Sequence, residues 1–161
     1  KDMREKLLLS YLPGMPIEDV FDEIDECKNP DDVDCFLSWN TFGKGYIPFF
    51  YNDKVIASNP ISFINDSRIS NLQTHKGILL PNFFQLMKYK LFRSRINTIK
   101  LKREGSLQVQ SENGTLQVKN IEMPFPINKL YDWKDYHIGD YNLFWLNIRE
   151  NLKLRLEKNL D

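Results

Sequence analysis

Apolar residues recur along this chain with two periods, and the changes of period divide it into elements. Residues 2–10 read as a short helix stopped by Leu12-Pro13-Gly14. A second helix is predicted from Pro16, which suits the first helical position. Ile17, Val20, Phe21 and Ile24 then fall at i, i+3, i+4 and i+7, on one apolar stripe. Glu18 and Asp19 complement the dipole of its first turn, and Asn29-Pro30 ends it. The period then changes to two. Val33, Cys35, Leu37 and Trp39 alternate with Asp34, Phe36, Ser38 and Asn40, the pattern of a strand. After a loop from Thr41 to Gly45, Tyr46 to Tyr51 and Lys54 to Ser58 read as two strands joined at Asn52-Asp53. Pro48 marks the first of them as an edge or bulged strand. Residues 59–77 are polar and punctuated, a long loop with a short strand at Ile61 to Ile64.

Pro81 is expected to open a helix to about Ile96, with Phe84, Met87 and Leu91 as its apolar seam and Phe83 beside it. Three short strands follow: Thr98 to Lys102, Ser106 to Gln110 and Thr115 to Ile121. They are separated by turns at Arg103-Glu104-Gly105 and Ser111-Glu112-Asn113-Gly114. Their alternation predicts an antiparallel meander with one wet face. Residues 122–139 read as a loop with a helical turn near Leu130. Asp140 then caps a final helix to about Lys158, with Tyr141, Phe144, Trp145, Ile148, Leu152 and Leu156 as a wide apolar stripe.

These elements predict one α+β domain over residues 1–161: a single antiparallel sheet of five to six strands, built from two β-meanders, with flanking helices. The order ββ-α-βββ-α resembles the longin and roadblock platforms in element order, without any sequence motif of those families. Residue 1 is Lys, which suggests a piece of a longer chain.

Composition adds three points. Aromatics reach 13%, enough to supply partner anchors as well as a core. No run of about 18 apolar residues is present, so no membrane span is expected. The first residues lack the order of a signal peptide, which predicts an intracellular, reducing location. Cys27 and Cys35 are then expected as plain buried thiols, too few for a disulfide framework or a cysteine zinc site. Sequons occur at Asn65 and Asn113, at about the frequency chance allows.

Charge is the distinctive feature. The formal net charge is zero, yet residues 18–34 hold nine acids against Lys28 alone. Residues 88–103 hold seven bases (Lys88, Lys90, Arg93, Arg95, Lys100, Lys102, Arg103) and no acid. The acidic stretch has no Asp-x-Asp-x-Asp-Gly loop for a divalent cation and reads as the polar face of a helix. The basic stretch, with Tyr89 and Phe92 interleaved, suits phosphate contact and base stacking.

Signals for catalysis are sparse. His75 and His137 lie far apart in sequence, neither in an H-E-x-x-H setting. No G-x-S-x-G elbow or nucleotide loop is present, and Gly43-Lys44-Gly45 reads as turn chemistry. No cofactor and no metal are expected. The reading that follows is a non-enzymatic protein-interaction domain or subunit of a larger intracellular assembly. Lys88, Arg93, Arg95, Lys100 and Lys102 are its candidate contacts, with Phe50 and Tyr51 as anchors. A nucleic-acid-binding module using residues 88–103 is the alternative. An enzyme whose carboxylates converge only in the fold is a third, which an acid beside His137 in a deep pocket would support.

Overall fold

The computed structural model describes residues 7–18, 21–93, 95, 99–102, 104–122 and 134–160. The expected single sheet is not formed. Among the described residues, seven short strands form a parallel pair, a mixed three-stranded sheet and an antiparallel ribbon, accompanied by two α-helices. In the parallel pair, β1 (Leu9–Tyr11) lies beside β2 (Cys35–Leu37). In the mixed sheet, β3 (Thr41–Gly43) runs parallel to β7 (Thr115–Ile121), which is antiparallel to β6 (Leu107–Glu112). The ribbon pairs β4 (Ile78–Pro81) with β5 (Ile99–Lys102). Between them stands helix α1 (Phe83–Phe92); helix α2 (Asp140–Leu160) closes the fold.

The β6–β7 hairpin matches its sequence pattern. Its two-residue turn, Asn113-Gly114, has positive φ at both positions (49° and 69°), the backbone that Asn-Gly favours. A Cβ on Gly114 would overlap the Asn52 carbonyl, so the turn is also packed against the loop above it. The first predicted strand of that meander, β5, is not part of it. It pairs with β4, whose Pro81 is the residue expected to open the helix.

The other departures share a cause: long-range pairing outweighs local period. Residues 16–18 and 21–28 are not helical. Glu18 bridges Val55, and Glu26 bridges Phe36, so this stretch is laid out along the body. Leu9–Tyr11 is strand rather than helix, and residues 2–6 of that expected helix lie outside the described residues. The two strands expected at 46–51 and 54–58 are loop, with a turn at Phe49-Phe50 and a single bridge at Val55. Ile61 to Ile64 is a turn closed by an Asn59–Ile64 bridge. The helical turn expected near Leu130 falls outside the described residues.

Fully buried Trp39 sits in the core, edge-on to Tyr11 and to Phe144 of α2 at 6.3 Å each. Residues 35–43 are buried on both faces, not alternately. Their polar members bind loop backbone instead of water. Ser38 Oγ donates to the Leu12 carbonyl, and Asn40 Nδ2 donates to that of Met15.

The same device shapes α2. Phe144 and Ile148 are buried as expected, but Tyr141, Trp145, Leu152 and Leu156 are half-exposed. The inward face is completed by polar Asn147, Asn151 and Arg155. Asn147 receives the Lys76 N–H and donates to the Thr74 carbonyl; Asn151 donates to that of Pro30. A buried loop without a ladder needs such partners, so the helix supplies them from side chains.

Cys27 and Cys35 are not thiols. They form a disulfide, with Cα atoms 5.1 Å apart. Cys27 N donates to the Phe36 carbonyl and Phe36 N to that of Asp25, which sets the two cysteines side by side.

Candidate interaction surface

Helix α1 starts because Asn82, after Pro81, turns its side chain to accept the Phe84 N–H at 3.2 Å. Pro81 is therefore the last residue of β4 rather than the first of the helix. The helix stops at Arg93, whose left-handed backbone (φ 51°) closes the last turn by donating its N–H to the Tyr89 carbonyl. It is shorter than the span predicted to Ile96.

The apolar seam of this helix faces outward. Leu91 is 68% exposed and Phe92 77%, and Phe84, Met87 and Tyr89 are exposed with them. Lys88, Arg93 and Arg95 are also exposed, and the Arg93 guanidinium stands 5.9 Å from the Tyr89 ring centre. The result is a short helix, carried at the end of a two-stranded ribbon, that presents apolar and cationic side chains together. Isolated exposed apolar residues are ordinary; five on one short helix make it a candidate contact surface. Lys100 and Lys102 lie on β5 opposite Leu80 and Ile78; their side chains lie outside the description, as does Arg103.

A second apolar projection is the loop tip at Phe49-Phe50, 95% and 76% exposed and stacked edge to face at 5.5 Å. Phe50 thus stands where an anchor would. Tyr51 turns inward instead, edge-on to Phe42 at 5.1 Å. Burial pushes its phenol up to about 12, with Asp140 and Asp135 adding to the shift. Phe49, an aromatic candidate in the sequence but not one of the two expected anchors, takes the place of Tyr51 at the tip.

The fold does bring an acid to His137. Asp140, buried at the start of α2, accepts the Thr41 N–H and meets His137 Nδ1 at 3.1 Å. Burial pushes this carboxyl up to about 7, against those two hydrogen bonds. The Gly14 backbone is set so close to the imidazole that a Cβ there would lie 2.7 Å from Cε1. Asp140 thereby ties β3 to α2, a structural role that accounts for its burial. Clefts of about 220 to 350 Å³ lined by described residues lie elsewhere, beside Asn59, Asn147 and Ser111. His75 is buried too. Its Nε2 donates to the Leu143 carbonyl at 3.0 Å, which fixes the tautomer, and burial holds its pKa below the usual imidazole value.

Among the described residues no group of three or more His, Cys, Asp or Glu converges as metal ligands. No helix among them is long and apolar enough to cross a membrane. Compared with protein-family models, curated proteins and solved structures, the chain matches none.

Proposed function

We propose that this domain is a non-enzymatic protein-interaction module, a subunit of a larger assembly, and that α1 is its principal contact element. The observation that carries the reading is the exposure of Leu91 and Phe92 beside Met87 on a helix framed by Lys88, Arg93 and Arg95. Burying a Leu or Phe side chain yields roughly 1.5–3 kcal/mol, which a partner groove recovers and water does not. Cations around an apolar stripe steer the approach and set its register. The Phe49-Phe50 tip offers a second anchor of the kind that carries most of an interface's energy.

Nucleic acid is the second reading, supported by Lys88, Arg93 and Arg95 with the exposed ring of Tyr89. Met87 and Leu91 argue for protein, because aliphatic groups gain nothing from phosphate. The Cys27–Cys35 disulfide favours an oxidising compartment over the intracellular location suggested by the start of the sequence.

The test is affinity purification of the tagged chain from native extract and from its extracytoplasmic fraction, with and without nuclease. Wild type and Leu91→Glu are compared. A stoichiometric protein that survives nuclease and is lost with Leu91→Glu is the expected result. Loss on nuclease treatment supports the nucleic-acid reading. A chain recovered alone from every fraction sinks the interaction reading.

A further inference from the structure

The α1 surface has an unusual requirement. At 100° per residue, Lys88 falls between Phe84 and Phe92, inside the apolar arc and not at its edge. A surface that covers Leu91 and Phe92 must therefore place a carboxylate among apolar groups. A lipid interior meets this poorly, because a cation at the centre of the inserted face is costly there.

The acidic stretch of the same chain has the matching character. Met15 is 67% exposed, and Phe21 is exposed while its ring rests edge-on against Phe36 at 5.2 Å. Around them Glu18, Asp22 and Asp25 are exposed. None of these three carboxylates is ion-paired with Lys88, Arg93 or Arg95; the pair formed within the stretch by Asp31 runs to Lys158 of α2. The zero net charge is thus split between an apolar-acidic surface and an apolar-basic one. Opposite surfaces on one molecule favour head-to-tail contact between copies, while zero net charge removes long-range repulsion.

From this we infer that a second copy of this chain is an occupant of the α1 surface, seated through Met15, Phe21 and the carboxylates of Glu18, Asp22 and Asp25. The inference rests on the reading of α1 as a contact element and names its partner.

Sedimentation velocity across a concentration series tests it, using two charge-reversed proteins. One carries Lys88→Glu with Arg95→Glu; the other carries Asp22→Lys with Asp25→Lys. All four positions are exposed, and circular dichroism checks that each variant folds. Wild type should associate with rising concentration, and less so in 0.5 M salt, where the Debye length falls to about 4 Å. Each variant alone should lose about tenfold or more in association constant. Mixing the two should restore association, because each reversed surface then meets its complement. A wild type that stays monomeric to about millimolar protein overturns the inference, as does association that neither reversal weakens. If wild type is monomeric yet still retains a distinct protein that Leu91→Glu loses, α1 remains a contact element and only the self-association fails.

Discussion

Arg155 Nη1 lies 3.4 Å from Cys27 Sγ and 3.6 Å from Cys35 Sγ, so a fully buried guanidinium covers the disulfide. The same nitrogen donates to the Asp32 carbonyl, and Nε donates to Asn151 Oδ1 at 2.8 Å. Tyr11 OH donates to that Asn151 oxygen at 2.7 Å. Burial pushes the phenol up to about 12, with the charge of Arg155 pulling the other way. One side chain of α2 thereby holds the disulfide-closed loop, and through Asn151 it is linked to β1.

Arg155→Ala should be among the costliest substitutions in the protein. It leaves a cavity and strips the Asp32 carbonyl of its buried donor, for about 3 kcal/mol or more. Arg155→Met keeps most of the volume and should cost less. Tyr11→Phe leaves Asn151 Oδ1 still bonded to Arg155 and should cost only about 1 kcal/mol. Urea denaturation of the single and double variants should show non-additivity, since both donors share one acceptor. Additive losses would dissolve the network.

Replacing Cys27 and Cys35 by Ser should destabilise the domain by about 2–3 kcal/mol, the chain-entropy effect of a link across a separation of 8 residues. Thiol titration in denaturant gives the prior check. Without reductant no thiol should react; with reductant two should. Two reactive thiols in the unreduced protein would restore the plain-thiol expectation and remove the argument for an oxidising compartment.

Leu91→Ala and Phe92→Ala should each change stability by no more than about 0.5 kcal/mol, because the side chains leave little behind in the folded state. Trp39→Ala, at the fully buried centre, should cost about 3–5 kcal/mol. Phe49→Ser and Phe50→Ser should behave like the α1 variants. Losses of several kcal/mol at Leu91 would mean that its seam is packed after all.

The contrast between Leu91 and Arg155 shows where the sequence could be read and where it could not. Local signals were legible: the alternation of β6 and β7 with their Asn-Gly turn, and the start of α2 at Asp140. The core residues Phe144 and Ile148 also followed from period, whereas Trp39 is buried in a stretch that does not alternate. Period failed where polar side chains replace a backbone ladder. Asn147, Asn151 and Arg155 look like a solvent face, yet they are inward because loops at 30–32 and 74–76 need donors and acceptors. It failed again over 16–18 and 21–28, where Ile17 and Phe21 have helical spacing but Glu18 bridges Val55 and Glu26 bridges Phe36. On the surface, the basic segment was visible as Lys88, Arg93 and Arg95. That the adjoining apolar seam would face outward was not, because a stripe of Leu and Phe has the same spacing whether a core or a partner covers it.

Two buried groups should give the domain opposing responses to pH. Asp140 has a folded pKa near 7, above the usual carboxylate value of 3.8. Between about pH 4 and 7 the native state holds a proton that the unfolded state has released, so this group's contribution to stability is lost as pH rises through that range. His75 has its pKa lowered from 6.5 by burial. Below about pH 6.5 the unfolded chain takes up a proton that the native state refuses, so stability is lost as pH falls. In wild type the two slopes partly cancel over their shared range, and the carboxylates whose pKa is lowered, Asp31 and Asp32, act only below it. Asp140→Asn should therefore expose the His75 slope, with stability declining from pH 7 to 5. His75→Gln, whose amide can still donate to the Leu143 carbonyl, should expose the Asp140 slope and become more stable over the same descent. His137, bonded to Asp140, and the neighbouring Asp135 and Tyr51 are present in both variants, so the difference between the two profiles isolates the buried pair. Thermal midpoints at half-unit pH steps would measure it. Parallel profiles for the two variants would show that one of these groups is not held as the structure places it.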